Sequence, residues 1–245
     1  MIVSHTHRYL FLELPLTAST AIAKELIEHY DGKSIYYKHA NYRKFLKKAS
    51  EEEKKYFTFI GIRNPMDQAV SHYYKYLSNH NEKYADIQEV KKTKNPIKHY
   101  INQRIHQRKF KYVQEHNPSF SDFFMKFYGI PYSNWANLDK DKMNGVISFE
   151  HIQEDFAKVL KDLGIEAKRP LPQGNKTEAK TKHFLEHFDT KESQEKAALV
   201  FGPFMKEWGY SFPPEWKVDG FMMQKKGAYD RYNYFKKIFW SLLGK

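Results

Sequence analysis

The chain is expected to fold as an α/β protein, with a parallel central sheet flanked by helices. Three observations predict this. Short apolar runs occur at 9–14, 56–62 and 145–149; each is followed by apolar residues at helical spacing; and turn or small polar residues separate each run from its helix. Strands alternating with helices favour parallel neighbours joined by right-handed crossovers.

The elements follow in order. Tyr9, Leu10, Phe11, Leu12, Glu13 and Leu14 form a nearly continuous apolar run ending at Pro15, the pattern of a buried strand. Leu16, Thr17, Ala18, Ser19 and Thr20 make a small hydroxyl-rich loop, and 21–30 reads as a helix stopped by Asp31 and Gly32. The grammar repeats with a strand at 56–62, a turn at Arg63, Asn64 and Pro65, and a helix over 66–77. It repeats again with a strand at 145–149 and a helix over 151–163. Between them, 80–94 is polar and lysine-rich, and 97–109 and 119–127 read as helices. The block 80–130 is therefore expected to be a helical insert over the ligand face of the sheet. After Gly174, helices are expected at 181–187 and 191–208, and 217–245 forms a basic, aromatic C-terminal extension. No Gly/Ser-rich linker precedes that extension, so 1–245 reads as a single domain.

Composition limits the function classes. Hydrophobic residues make up 41% of the 245, with 19 Phe and 18 Tyr, enough to build a core and to exclude wholesale disorder. Lys and Arg number 41 against 29 Asp and Glu, a net charge of +12 that suits a polyanionic partner without choosing among nucleic acid, acidic lipid, sulfated glycan and phosphate-rich nucleotide. The absence of cysteine excludes disulfides, thiolate metal sites and a cysteine nucleophile. The first nine residues lack the apolar region of a signal peptide, and no apolar stretch approaches the roughly 20 residues that span a bilayer. A cytoplasmic location is expected, although a luminal domain separated from its anchor would read alike.

In open α/β sheets, ligands bind beyond the carboxyl ends of the strands. Two strand ends carry anion-suited groups. At the first, Thr17, Ser19 and Thr20 offer hydroxyls, and the first-turn amides of the following helix carry the positive end of its dipole. The same residues would also serve as an ordinary helix cap. At the second, Arg63 leaves a strand and can fork two hydrogen bonds to one phosphate, with the Ser71 hydroxyl eight residues later; pairing of Arg63 with Asp67 is the plainer use. Two such ends suit a nucleotide phosphorylated at both ends.

The pattern resembles the sulfotransferase family that uses 3′-phosphoadenosine 5′-phosphosulfate, closer to the glycan and bacterial type than to the cytosolic type. In that family a strand ends in Pro-Lys-Thr-Gly-(Ser/Thr)-(Ser/Thr), matched by 15–20, and a second ends in Arg-Asn-Pro with a serine eight residues after the arginine, matched by Arg63 to Ser71. Val146 to Ile152 resembles the later strand-plus-Glu block, and Phe201 to Pro213 the closing segment. The resemblance implies a P-loop NTPase-like sulfotransferase architecture. It also implies sulfonate transfer from 3′-phosphoadenosine 5′-phosphosulfate to a hydroxyl acceptor, with a glycan expected and no metal required. Thr17, Ala18, Ser19 and Thr20 would hold the 5′-phosphosulfate, and Arg63 and Ser71 the 3′-phosphate. Lys225, Lys226 and Gly227 are similar to a basic loop that clamps the 3′-phosphate, and a solvated basic stretch is the plainer reading. His39, between the two donor blocks, corresponds to the family's base, against the alternative of a structural histidine; Glu13 and Glu150 are fallback bases. Two departures stand out: the loop lysine is Leu16 here, and the loop glycine is Ala18. That lysine offsets charge building on the leaving phosphate. Lys38, Lys24, Arg8 and Arg43 are the candidate substitutes, with Lys38 placed beside His39 in the catalytic set.

Other patterns carry less. His183, Glu186 and His187 fit a zinc-peptidase spacing, but a third acidic ligand would be needed, and Glu192 and Glu195 fit poorly. Neither the G-x-x-x-x-G-K-[ST] loop nor a strand-borne G-x-G-x-x-G occurs. The tail from 229 to 245 could touch nucleic acid or an anionic membrane surface; more commonly such a stripe packs its rings inward and solvates its lysines. No nucleic-acid partner is expected. The alternatives to an enzyme are a catalytically weak nucleotide-binding protein of the same fold, and a basic nucleic-acid or membrane-binding module.

Overall fold

Apolar runs bounded by turns give the strands, and their nearly continuous burial puts them at the centre of one sheet. A computed structural model describes residues 1–79, 84, 96–172 and 182–243, with the backbone alone for 96–99 and 240–243. Most of the lysine-rich segment expected at 80–94, together with Gly174 and the start of the helix expected at 181, lies outside the described residues. By their contacts the residues fall into two compact units, Met1–Asn64 with Ser133–Lys176 and Gly227–Lys245, and Pro65–Tyr132 with Thr177–Lys226.

The first unit holds the sheet. Its strands are β1 (Ile2–Ser4), β2 (Tyr9–Leu12), β3 (Lys33–Ser34), β4 (Phe57–Ile62) and β5 (Gly145–Ser148), in the order β3-β1-β2-β4-β5. The expected parallel pairs are present: β2 runs parallel to β4, with Leu12 opposite Ile60, and β4 runs parallel to β5, with Ile62 opposite Ser148. The sheet as a whole is mixed, which corrects the all-parallel expectation. β1 pairs antiparallel with both β2 and β3. Its hairpin to β2 closes at Arg8, whose backbone is left-handed. Strands of three and two residues are too short to show a period of two.

Helix α1 (Ser19–His29) and helix α6 (Ile152–Asp162) cover one face of this sheet. Ile22 and Leu26 of α1 and Phe156, Val159 and Leu160 of α6 pack on Phe11, Phe59 and Ile147. Leu12, Leu14 and Ile60 line a small cavity on the other side with Tyr42 of α2 (Tyr42–Leu46) and Trp135. Arg169 clamps the buried Glu25 of α1 through Nε and Nη2 at 2.8–3.2 Å, a bidentate pair. Helix α9 (Lys226–Leu243) also belongs here.

The second unit is helical, with α3 (Pro65–Leu77), α4 (Pro96–His116), α5 (Phe120–Phe127), α7 (Lys191–Trp208) and α8 (Asp219–Met222). Met66, Val70 and Tyr73 of α3 meet Phe120, Phe123 and Phe124 of α5 and Phe201 and Met205 of α7 in one aromatic core. Gly202 is required where α7 crosses α8, because a Cβ there would lie 2.4 Å from the Met222 carbonyl oxygen. The helix expected over 181–187 is instead a short 3-10 turn at Phe184–His187, closed by Glu186 Oε1 accepting from the His183 amide at 3.0 Å. Glu186 is thereby used as a cap.

Candidate functional site

The loop after β2 is shaped by two left-handed residues, Leu16 (φ 64°) and Ala18 (φ 55°). That conformation costs about 1–2 kcal/mol for a residue with a Cβ. Two contacts hold it. Thr17, 1% exposed, donates from Oγ1 to the Leu14 carbonyl at 3.0 Å. The loop also lies directly on β4: a Cβ on Gly61 would sit 2.9 Å from Thr17 Oγ1 and 3.0 Å from the Thr17 carbonyl oxygen. Ala18 is the N-cap of α1 and provides no side-chain cap. Ser19 is buried in the first turn, and Thr20 is exposed. The loop thus presents the start of an eleven-residue helix whose capping position bears only a methyl group.

Lys38 and His39 come to this strand end from a separate turn. The Ala40 amide donates to the Tyr37 carbonyl at 3.1 Å, placing Lys38 and His39 at the turn's two central positions. His39 has φ 63°, where glycine is favoured. Strain of this kind persists where surrounding contacts fix it. Lys44 lies 4.0 Å from the centre of the Tyr37 ring, and Asn41 caps α2 through the Lys44 amide at 3.0 Å. Lys38 Nζ donates to Thr20 Oγ1 at 2.7 Å. His39 Nδ1 lies 2.8 Å from the Glu13 carbonyl oxygen. A carbonyl can only accept, so Nδ1 carries the proton and a neutral ring keeps its lone pair on Nε2.

The four candidate cations separate on geometry. Lys24 pairs with Glu28 at 3.7 Å, Arg8 with Glu52 at 3.5 Å, and Arg43 with Asp139 at 3.4 Å and the Lys237 carbonyl at 2.8 Å. Lys38, by contrast, donates to a loop hydroxyl, that of Thr20.

Arg63 follows β4, the parallel neighbour of β2. Its guanidinium stacks over Phe149 at 4.1 Å, and Nη1 donates to the Leu16 carbonyl at 3.4 Å, a long and therefore weak bond. The second strand end thus reaches the first loop. Glu150 Oε1 accepts the Asn64 amide at 2.7 Å, and the Glu13 carboxylate is engaged by the Met1 amino group. Both fallback bases are held in structural contacts. Phe149, Gly61 and the Leu16 carbonyl were not foreseen; the apolar run at 145–149 announced a strand, not a ring under an arginine.

The remaining candidates belong to other elements. Ser71 is buried on α3 of the second unit. Lys225 Nζ donates to the Gly129 carbonyl at 2.8 Å, and Lys226 and Gly227 form the first turn of α9 rather than a loop. His183 caps the 3-10 turn and His187 ends it, and no group of three or more acidic or histidine residues able to hold a metal is found among the described residues.

A family model described as "Sulfotransferase family" matches residues 1–201, a span covering β1 through most of α7. No curated protein and no solved structure matches the chain significantly.

Proposed function

Since the chain belongs to the sulfotransferase family, we propose that it moves a sulfonate group from 3′-phosphoadenosine 5′-phosphosulfate to a hydroxyl of an acceptor, a glycan being the expected class. The observation that carries the reading is the convergence of Lys38, on Thr20, and His39, on the Glu13 carbonyl, at the carboxyl end of β2. The loop of Thr17, Ala18, Ser19 and Thr20 would bind the 5′-phosphosulfate with first-turn amides and the Thr20 hydroxyl. Arg63 would take the 3′-phosphate, the role the family pattern assigns to it.

In the reaction, the acceptor oxygen attacks sulfur in line with the bridging oxygen. The new S–O bond forms as the old one breaks, and the bridging oxygen leaves with the electron pair as part of the 5′-phosphate. His39 Nε2 takes the acceptor's proton. Lys38 replaces the missing loop lysine and neutralises the departing phosphate. Incubation with labelled donor and a panel of glycans and phenols tests this: label is expected on a hydroxyl acceptor, and His39→Ala is expected to lose transfer while keeping donor affinity. Equal transfer by that variant would remove His39 as the base. Leu16 in the lysine position favours a second reading, a nucleotide-binding protein with little turnover. Tight donor binding with no transfer to any acceptor supports it.

A further inference from the structure

Helix α9 is amphipathic in the reverse of the usual sense for a helix packed on a globular domain. Its inward side is polar: Tyr229 Oη accepts from Asn137 Nδ2 at 2.7 Å, Ser133 Oγ donates to Asn233 Oδ1 at 2.5 Å, and Lys236 Nζ donates to Ser133 Oγ at 2.8 Å and to the Asn134 carbonyl at 2.6 Å. Its outward side is apolar: Tyr234 is 62% exposed, Phe235 64%, Ile238 39% and Phe239 47%. At 100° per residue these four occupy one continuous stripe opposite Tyr229, Asn233 and Lys236, with Arg231 inside it. The expectation that the tail packs its rings inward holds for Tyr229 and is reversed for these four.

An exposed apolar stripe of this breadth marks an interaction surface. The charge around it selects the partner. Besides the inward Lys236, α9 carries Lys226, Arg231 and Lys237 against a single acid, Asp230, on a chain of net charge +12. An arginine within an aromatic and aliphatic stripe can extend to phosphate while its stem and neighbours enter the acyl boundary, and tyrosine suits the same depth. No helix among the described residues is long and apolar enough to cross a membrane. We propose that α9 docks the protein flat on an anionic phospholipid bilayer, with Tyr234, Phe235, Ile238 and Phe239 inserted and Arg231 at the headgroups. This docking stands independently of the donor and the acceptor.

The test uses the full chain and sedimentable vesicles, either of phosphatidylcholine alone or with about 30% phosphatidylserine, at low and high salt. Wild type is expected to co-sediment with the anionic vesicles and to release as salt rises. Tyr234→Ser with Phe235→Ser and Ile238→Ser should weaken that binding by about tenfold or more, and Arg231→Glu should weaken it on anionic vesicles. These side chains are exposed, so unchanged circular dichroism and melting are expected in the variants. Failure of wild type to bind anionic vesicles overturns the proposal. So does full binding by the triple variant, which would place the lipid contact on another surface, or an α9-dependent dimer that does not bind vesicles.

Discussion

Gly61→Ala is the sharpest probe of how the sheet shapes the loop. The added methyl would lie 2.9 Å from Thr17 Oγ1, 3.0 Å from the Thr17 carbonyl oxygen and 3.1 Å from its Cβ. Ordinary contacts begin near 3.4 Å, so the loop must retreat by several tenths of an ångström. Two of the three opposing atoms are main-chain or Cβ and cannot swing aside. The movement also pulls on the bond from Thr17 Oγ1 to Leu14, 3.0 Å long and buried. Overpacking of this kind costs about 1–3 kcal/mol. For a chain of this size that lowers Tm by about 2–4 °C for each kcal/mol. Because the strain falls on the residues proposed to hold the 5′-phosphosulfate, affinity for adenosine 3′,5′-bisphosphate should fall as well. Calorimetric titration and thermal melting read the two effects. Wild-type Tm and wild-type affinity together in Gly61→Ala would refute the claim that the loop is moulded on β4.

Three further outcomes follow from the same geometry. Adenosine 3′,5′-bisphosphate should raise Tm, as any ligand of the folded chain alone does, and Arg63→Ala should abolish the shift; a normal shift in a melting assay would remove Arg63 from the proposed phosphate site. Lys38→Ala should lower transfer by about a hundredfold, and adding Leu16→Lys should restore part of it in a labelled-sulfonate assay, because under the proposed mechanism the two amines would serve one leaving group. Burial lowers the Lys236 amine to about 8, so from pH 8 to about 10.4 the unfolded chain holds a proton that the folded chain has shed. Stability relative to Lys236→Met should therefore rise with pH across that window, by up to about 3 kcal/mol, as read by denaturant titration at each pH.

The sequence exposed the parts of the fold that repeat a pattern over many residues. β2, β4 and β5 each read as an apolar run before a helix, and α1, α3, α6 and α7 were recognised within two or three residues of their ends. β1 and β3 were hidden because two or three residues carry no periodicity, and their pairing is decided by the turn at Arg8 and by the neighbouring strand. The 3-10 turn at Phe184–His187 was hidden for a related reason, since a capping glutamate and a metal-spacing glutamate look alike in one dimension. At the site, Thr17 was legible as a loop hydroxyl, yet its Oγ1 serves the Leu14 carbonyl. The choice of Lys38 among four cations depends on which partner each finds in space, and Lys24, Arg8 and Arg43 find carboxylates. The inverted polarity of α9 was likewise invisible, because the sequence gives the two stripes of the helix but not which one faces the domain.

The central claim is that a phosphosulfate-bearing nucleotide sits at the carboxyl end of β2, and a crystal soaked with adenosine 3′,5′-bisphosphate tests it most directly. The 5′-phosphate is expected on the first-turn amides of α1, with Lys38 Nζ within about 3 Å of a phosphate oxygen and His39 Nε2 facing the space beyond it. A nucleotide bound elsewhere, or one whose 5′-phosphate leaves Lys38 on Thr20 and draws its cation from another part of the chain, would contradict the account.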